Sequence, residues 1–486
     1  MKKLVLTIIS AASFASVIAQ DQYSAENIAT SDLNGTARYV SLGGALDALG
    51  GDISVMGSNP AGIAIYKRAD VAVTGSVLVT GESGQLGKES SRISFDQAGA
   101  VFTLGQDQPG SGLKYVNFGI NYQKRKNFFA NADINIDHLN DTYSQSLQAA
   151  GLAQKSLSEN YFGLFTDVMA NSGALAYDET NKTFSGSPAK TANYRRNTRG
   201  AINQADFNVS FNISDQLFLG ATIGVYNVDY KRDSYYTETG IDNFTYDVEN
   251  WYDINGNGFD VKLGAIVRPF KNSPFRFGVS VHTPTWYSLE DCNGTTVFAD
   301  NTDRPYGRQA DPYEYNYRTP WKFGFSLGHT FGKVVALGAQ YEISDLSTTH
   351  YRSKDWENDV YFDVLNDKVN DQLKTQHTLR VGLEIKPISS FALRFGYNYV
   401  SSPIESNAWK ETYYDGYNGE TDFTNWKGTN RFTCGLGYRF KDGYFDLAYQ
   451  YQSQKGDFYA FDDEALIPTK INNNRSQILA TLGFRF

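Results

Sequence analysis

Ser280 and His282 are the residues of this chain that most resemble the start of a catalytic site. They lie two positions apart in an alternating run, and a β-strand places such residues on one face, where a histidine base can reach a serine hydroxyl. No residue in the run would orient the histidine, and a spacing of two arises in strands by chance. The sequence therefore predicts that the chain is not an enzyme.

Ligands for metals and cofactors are equally sparse. The five histidines, His138, His282, His329, His350 and His377, lack the spacing of a zinc site. The stretch DINGNGFD, residues 253–260, begins like a calcium loop, but its twelfth position is Gly264 where glutamate is required, so we interpret it as a turn leading into a strand. We expect no metal and no cofactor. A single axial histidine or tyrosine would suffice for haem, which leaves haem capture as an alternative.

Several basic residues fall on the polar positions of alternating runs, where their charges require a wet environment. They are Lys262, Arg268, Arg276, Lys322, Arg394 and Arg439. Such groups either meet the carboxylate of a ligand or pair with neighbouring acidic side chains. The residue types leave both roles open.

The composition indicates which kind of structural element carries these residues. The chain has 486 residues, a net charge of −9, 33 tyrosines and 32 phenylalanines. The acidic balance argues against binding to nucleic acid. The aromatic residues are dispersed at alternate positions, a pattern typical of a membrane β-barrel, which has an apolar outer face and a wet interior.

The first 19 residues are predicted to be a signal peptide. The stretch MKKLVLTIISAASFASVIAQ has two lysines, an apolar run of roughly a dozen residues, and small residues before Gln20. No later window has eighteen apolar residues in a row, so no transmembrane helix is predicted. An exported chain that crosses a membrane without helices must form a closed barrel. We therefore expect the bacterial outer membrane as its location.

Alternation recurs throughout residues 69–486; for example, Phe207, Val209 and Phe211 oppose Asn208 and Ser210. We count about 14 such runs, close in length to the roughly 9–11 residues with which a tilted strand crosses a bilayer. Short connections at 270–274, 386–390 and 440–443 are predicted to be periplasmic turns. Long connections at about 126–200, 232–255, 289–316, 347–374, 402–428 and 453–474 are predicted to be extracellular loops. The expected fold class is an all-β membrane protein, an antiparallel barrel of about 14 strands.

The last strand supports this assignment. SQILATLGFRF alternates to its end at Phe486, although chain termini usually fray. A terminal phenylalanine on such a strand resembles the assembly signal of outer-membrane proteins. The resemblance implies that the barrel assembly machinery is a partner.

Residues 20–68 do not alternate, and we call this segment the hatch. Residues 40–52, VSLGGALDALGGD, are predicted to form a short helix ended by Gly50 and Gly51. Pro60 can open a second short helix, capped by Ser58 or Asn59. Small residues allow tight packing, so we expect the hatch to lie in the lumen as a plug.

The segment LGGALDALGGDISVMGSNPAGIA resembles the N-terminal hatch of the FadL/TodX family of outer-membrane transporters, in which an Asn-Pro-Ala motif precedes the first strand. The resemblance extends over the whole chain, from signal to terminal phenylalanine. It implies import of hydrophobic compounds such as long-chain fatty acids, with capture in an extracellular groove, movement of the hatch and lateral exit through a gap made by a kinked strand. The gating motif carried over to this sequence is Asn59, Pro60, Ala61 and Gly62.

If a ligand is captured outside, some loop must offer it an apolar surface, and residues 136–178 are the candidate. This segment is helix-like, and we call it the lid. The candidate ligand-binding residues are Leu139, Leu147, Leu152, Leu157, Phe162, Leu164, Phe165, Val168 and Met169. Their alternative role is to pack the core of the loop itself.

The sequence thus predicts a transporter that has a hydrophobic small molecule and outer-membrane lipid as its partners and acts as a monomer. A barrel that captures haem or displays its loops, and a general porin, are the alternatives. A porin would conduct ions freely, whereas a plugged barrel would not.

Overall fold

The computed structural model describes residues 20–80, 90–105, 112–136, 139–159, 162–354, 360–411 and 419–486. The predicted signal peptide and His138 lie outside the described residues. Fourteen antiparallel strands form the wall. Of the first six strands, only β3 is interrupted. They are β1 Asp70–Thr80, β2 Ser90–Gly105, β3 Leu113–Asn127 with Ala130–Asn135, β4 Ala189–Ile213, β5 Leu217–Gly240 and β6 Thr245–Val267.

The next three strands are each interrupted once, and the last five are continuous. They are β7 Arg276–His282 with Trp286–Ala299, β8 Tyr313–Arg318 with Lys322–Phe331, β9 Val335–Asp345 with His350–Ser353, β10 Thr375–Ile388, β11 Phe391–Val400, β12 Phe423–Phe440, β13 Gly443–Tyr459 and β14 Thr469–Arg485. The barrel closes because β1 pairs with β14 from Asp70↔Arg485 to Thr80↔Arg475. Backbone hydrogen bonds between Ala69 and Phe486 extend this pairing to the last residue.

The wall is apolar outside and polar inside. On β8, for example, Phe323, Phe325 and Leu327 are 43%, 47% and 47% exposed, whereas Ser326 between them is buried. No helix in the described parts of the chain is long and apolar enough to cross a membrane. A closed barrel with an apolar outer belt is the architecture of bacterial outer-membrane proteins, which confirms the predicted fold class and location.

The strands extend beyond the membrane, which corrects the predicted loops. β4, β5 and β6 have 25, 24 and 23 residues, so most of the predicted loop 232–255 and part of 126–200 are strand. In these outer parts the pattern reverses: Tyr236 and Tyr252 point inward and are buried, while the charged side chains of Lys231 and Asp253 point outward. The alternating runs whose apolar residues face outward end at the membrane boundary. A prediction based on such runs therefore misses the parts of β4, β5 and β6 that extend beyond the membrane.

The stretch DINGNGFD also lies inside β6 and not in a turn, which corrects its assignment. Gly256 and Gly258 face β7 at positions where a Cβ atom would overlap Ser288 and Tyr287, respectively. Glycine is therefore needed because the neighbouring strand approaches closely, and not because the chain turns.

The hatch fills the lumen with short elements, α1 (Gln22–Ala29), α2 (Ala37–Ser41) and two 3₁₀ helices (Ile53–Gly57 and Pro60–Ile65). The helix predicted over 40–52 is wrong, because α2 ends at Ser41 and a series of turns follows. Gly43, Gly44, Gly50 and Gly51 adopt positive φ in these turns, a conformation that L residues rarely take. The glycines thus form two adjacent pairs at two turns, and they do not mark one helix end.

Helices also cover the extracellular end. The lid contains α3 (Gln145–Glu159) and α4 (Leu164–Ser172), and a further helix, α5 (Val360–Gln372), lies between β9 and β10 in the chain. A third 3₁₀ helix, Leu346–Thr348, connects the two parts of β9. Buried side chains of α5, including Phe362, Leu365 and Val369, pack in one cluster with Ala25 and Ile28 of α1. The plug and the outer helices therefore share a core.

Candidate functional site

The motif Asn59-Pro60-Ala61-Gly62 lies at the junction of hatch and wall. Asn59 caps the 3₁₀ helix as predicted, because its side chain accepts a hydrogen bond from Ala61 N at 3.2 Å. Its Nδ2 donates to Val279 O of β7 at 3.4 Å. All four residues are buried. One side chain therefore shapes the hatch and attaches it to the barrel; a role in gating stays a prediction.

The wall receives the hatch through glycines, one from each of the strands β5 to β12. They are Gly220, Gly264, Gly278, Gly328, Gly338, Gly382, Gly396 and Gly435. A Cβ atom at Gly220 would lie 2.6 Å from Ala61 N, and one at Gly382 would lie 2.6 Å from Leu42 O. At Gly264 it would overlap Asn59 Oδ1. The hatch backbone thus follows a groove that only glycine leaves open.

Several of the predicted lumen charges hold the hatch or each other. Arg276 Nη1 donates to Leu49 O at 2.6 Å, and Lys322 Nζ donates to Ala29 O at 3.5 Å. Arg394 pairs with Glu384 at 2.7 Å, and Glu384 also lies 3.3 Å from Arg38 of the hatch. Structural pairing is therefore the role that the geometry supports for these groups.

His282 has a similar role. Its Nε2 donates to Ser58 O of the hatch at 2.6 Å, and its side chain is buried. The histidine that the sequence pairs with Ser280 thus fixes the plug beside the Asn-Pro-Ala motif.

A cavity of about 240 Å³ lies above the hatch, and we call it the outer chamber. Its aromatic lining consists of Tyr23, Phe128, Phe129, Tyr230, Tyr252, Phe423 and Trp426. Its basic lining consists of Lys126, Arg196, Arg232, Lys427, Arg431 and Arg475, against the four carboxylates of Asp21, Glu26, Asp32 and Asp422. Aromatic walls with an excess of positive charge, in a chain of net charge −9, suit a molecule with an apolar body and an anionic group.

The candidate ligand-binding residues of the lid fall into two groups. Five are buried in the core between lid and strands: Leu139, Leu164, Phe165, Val168 and Met169. Leu152 and Phe162 pack partly buried against that core, whereas Leu147 and Leu157 are 36% and 38% exposed. Contact with a ligand stays a prediction for all nine, and only the last four have accessible surface to offer.

The lid is attached by a buried carboxylate at the start of α3. Glu238 accepts hydrogen bonds from Ser144 Oγ at 2.6 Å, Gln145 N at 2.9 Å and Tyr236 OH at 2.5 Å. Burial raises the pKa of Glu238 above its usual value, and the three hydrogen bonds act in the opposite direction. A carboxylate at a helix N-terminus also satisfies an amide that has no partner within the helix.

Glu238→Ala is expected to loosen the lid while the barrel stays intact. Ser144 Oγ and Gln145 N lose a buried acceptor, which costs about 1–3 kcal/mol. Hydrogen exchange should therefore rise in α3 and not in β1 to β3. Glu290→Ala, at an exposed position, is the control and should leave hydrogen exchange unchanged both in α3 and in β1 to β3. Unchanged protection of α3 in Glu238→Ala would show that the carboxylate does not hold the lid.

Comparison with known proteins gives matches in structure alone. No protein-family model and no curated protein matches the sequence. Among solved structures, the toluene transporter TodX of P. putida superposes with a TM-score of 0.53 at 12% identity, covering 94% of this chain and 99% of that one. A FadL homologue of Pseudomonas aeruginosa gives 0.50 at 12%, with 94% and 98% covered. The monoaromatic hydrocarbon channel CymD gives 0.51 at 9%, with 93% and 98% covered. This chain has the FadL-type fold.

The wall of this chain has two kinds of discontinuity. β3 is broken at Phe128 and Phe129, and its described pairing with β2 ends at Gln97↔Gln123. The hatch covers this point, since Asn34 Nδ2 donates to Asp96 Oδ1 of β2 at 3.0 Å and to Lys124 O of β3 at 3.0 Å. The second discontinuity is the set of breaks in β7, β8 and β9.

Sequence reasoning missed two parts of this FadL-type site. The glycine groove was visible as glycine on the lumen side of almost every run, but alternation was used only to find strands. The outer chamber gave no signal, because its lining comes from ten or so separate segments that meet only in the folded barrel.

Proposed function

We propose that this chain is an outer-membrane transporter that imports hydrophobic small molecules with an acidic group, long-chain fatty acids being the leading candidate. The outer chamber carries the proposal, because it joins aromatic walls to an excess of basic side chains directly above the hatch. The known proteins of similar fold support the transport of hydrophobic compounds, since two are described as a toluene transporter and a monoaromatic hydrocarbon channel.

The proposed route is capture at the lid, passage to the outer chamber, displacement of the hatch and exit through the wall. A fatty acid gains nothing from an aqueous pore, since its chain would face water throughout the crossing. The hatch argues in addition against a general porin, because it occupies the lumen from β5 to β12.

Mass spectrometry of small molecules that co-purify with the barrel from native outer membranes tests the proposal. Fatty acids or other amphipathic acids should be bound. A bound porphyrin would replace the proposal with haem capture. A chamber that retains nothing and takes up no fatty acid would replace it with a display function.

Arg475→Gln should weaken binding of a fatty acid but not of the matching fatty alcohol. Arg475 lines the chamber, lies 3.6 Å from Asp32 and is 14% exposed. A charge-assisted hydrogen bond lost at a partly exposed group costs about 1.5 kcal/mol, so the affinity for the acid should fall about tenfold. Lys470→Gln is the control, since Lys470 is 70% exposed and pairs with Asp457. Equal losses for acid and alcohol would contradict recognition of the carboxylate.

A further inference from the structure

The end of the barrel opposite the lid carries short turns, which outer-membrane barrels place on the periplasmic side. Three of these turns share a pattern of side chains. They lie between β6 and β7, between β8 and β9, and between β12 and β13. With the last residue of β8 and of β12 they comprise residues 268–275, 331–334 and 440–442, and we call them the periplasmic rim.

Each of the three turns presents an exposed phenylalanine, namely Phe270, Phe331 or Phe440. Phe331 continues the outward-facing series of β8, and Phe440 continues that of β12. The phenylalanines therefore lie at the periplasmic edge of the apolar belt, where the wall meets the ends of the lipid headgroups and the acyl chains below them.

An exposed lysine accompanies each phenylalanine. Lys271 and Lys441 directly follow the phenylalanine of their turns, and Lys333 follows at the second position. A residue of extended chain spans about 3.3 Å, and a lysine stem is long and flexible, so the ammonium groups reach the headgroup layer just beyond the acyl chains. In the part of the chain that the structure describes, no carboxylate forms an ion pair with these lysines.

Other charges at this end of the barrel neutralise each other. Asp215, between β4 and β5, lies 3.1 Å from Lys114 Nζ and 3.5 Å from Lys67 Nζ. Arg485 Nε lies 2.8 Å from Asp70 Oδ2 where the barrel closes. The turn between β4 and β5 has neither an exposed phenylalanine nor a lysine of its own. The pattern of apolar anchor and unpaired cation is thus specific to the rim.

The longest turn of the rim is held in place by Arg268. Its Nη2 donates to Lys271 O at 3.4 Å and to Ser273 O at 3.3 Å, and its Nη1 donates to Asp215 O of the neighbouring turn at 3.5 Å. The guanidinium therefore binds the backbone that presents Phe270 and Lys271, so this pair does not depend on a loose loop.

The charge of the rim is opposite to that of the whole chain. The rim contains four basic residues and a single acidic one, Asp442, in a protein of net charge −9. Basic side chains beside a membrane are attracted to anionic lipids by about 1 kcal/mol each. A soluble acidic partner would leave the phenylalanines unused, because they face the acyl chains and not the periplasm.

We propose that the periplasmic rim binds anionic phospholipids of the periplasmic leaflet. The lipid phosphate lies against Lys271, Lys333 or Lys441, and the upper acyl chain packs on the phenylalanine of the same turn. This binding is independent of the cargo and of the outer chamber, which lies at the other end of the hatch. Because the lipids bind only the folded barrel, they stabilise it.

Native mass spectrometry tests the proposal on the whole chain. The purified barrel is exchanged into detergent micelles that contain equal amounts of phosphatidylglycerol and phosphatidylcholine, and the lipids that stay bound are counted. The rim variant replaces all three rim lysines by glutamine. The control variant removes the same charge from exposed positions at the opposite end, with Lys182→Gln, Lys190→Gln and Lys470→Gln. Heat-modifiable migration on gels verifies folding.

Wild-type protein should retain phosphatidylglycerol in preference to phosphatidylcholine, and so should the control variant. In the rim variant the preference should fall at least about fivefold, which corresponds to the attraction of a single basic residue. No preference in the wild type, or equal losses in the two variants, would overturn the proposal. A preference that soluble glycerol 3-phosphate abolishes would indicate a site for free phosphate and overturn the lipid assignment.

The apolar half of the site has its own test. Phe440→Ser keeps Lys441 and should lower the number of phosphatidylglycerol molecules retained. Phe298→Ser, at an exposed position of β7 near the opposite end, is the control and should not. Equal retention by the two variants would contradict the packing of acyl chains on the rim.

Discussion

Gly264→Ala should make the barrel leak ions. The new Cβ atom would overlap Asn59 Oδ1 and approach Pro60 Cδ to 3.0 Å and Ala61 N to 3.1 Å. The neighbouring atoms belong to a 3₁₀ helix and its cap, which cannot move independently of the hatch. Overpacking of this kind costs about 1–3 kcal/mol, so the population with a displaced hatch should rise about 5- to 150-fold.

Conductance of single barrels in planar lipid bilayers measures this effect. Gly75→Ala is the matched control, because its Cβ atom would meet only Ser94 O, at an ordinary 3.5 Å. Asn59→Ala should act in the same direction, since it removes the cap and the bond to Val279, and it should impair substrate flux while the barrel remains folded. Wild-type conductance in Gly264→Ala, with normal folding, would show that the hatch does not seal the lumen.

The barrel could be predicted because lipid and water impose a simple pattern. Each wall strand has one apolar and one polar face within the membrane, so runs such as Phe323, Phe325 and Leu327 identify strands residue by residue. Above the membrane both faces meet polar or protein surroundings, and Tyr236 points inward as Lys231 points outward. The same search rule then fails, which is why predicted loops proved to be long strands.

The hatch was placed correctly, but its internal structure was not. Gly43, Gly44, Gly50 and Gly51 were assigned to a helix and its end, whereas each has positive φ in a turn. A Cβ atom at Gly43 would lie 2.8 Å from Tyr397 O of β11, a contact separated by more than 350 positions in the chain. No local pattern contains such a partner, so glycine spacing alone could not separate a helix end from a groove contact.

The breaks in β7 and β8 were within reach of the sequence and were overlooked. Pro284 and Pro320 interrupt alternating runs, and proline in a run marks an edge, a bulge or a break. We took Pro284 as the end of one strand and Pro320 as the start of another. Across the break in β7 the inward positions change from Ser280 and His282 to Tyr287 and Leu289. Recognising this change requires both halves of the strand, and the outer half lies in the region where the alternation is reversed.

Lys262→Met should strongly destabilise the barrel. Lys262 is fully buried, with its Nζ 2.6 Å from Asp260 Oδ1 and 3.3 Å from Asp206 Oδ1. Tyr226 OH and Gln204 Nε2 donate to the same two carboxylates, so the network joins three neighbouring strands. Removing the cation leaves two buried carboxylates uncompensated, which costs about 3–5 kcal/mol.

Unfolding in denaturant, followed by tryptophan fluorescence in lipid vesicles, measures this loss. Lys427→Met, at a position 56% exposed, is the control and should cost less than about 0.5 kcal/mol. The decisive variant combines Lys262→Met with Asp206→Asn and Asp260→Asn. Because it leaves no unpaired charge in the lumen, it should recover most of the lost stability. A triple variant as unstable as Lys262→Met would show that the two unpaired carboxylates do not cause the loss of stability.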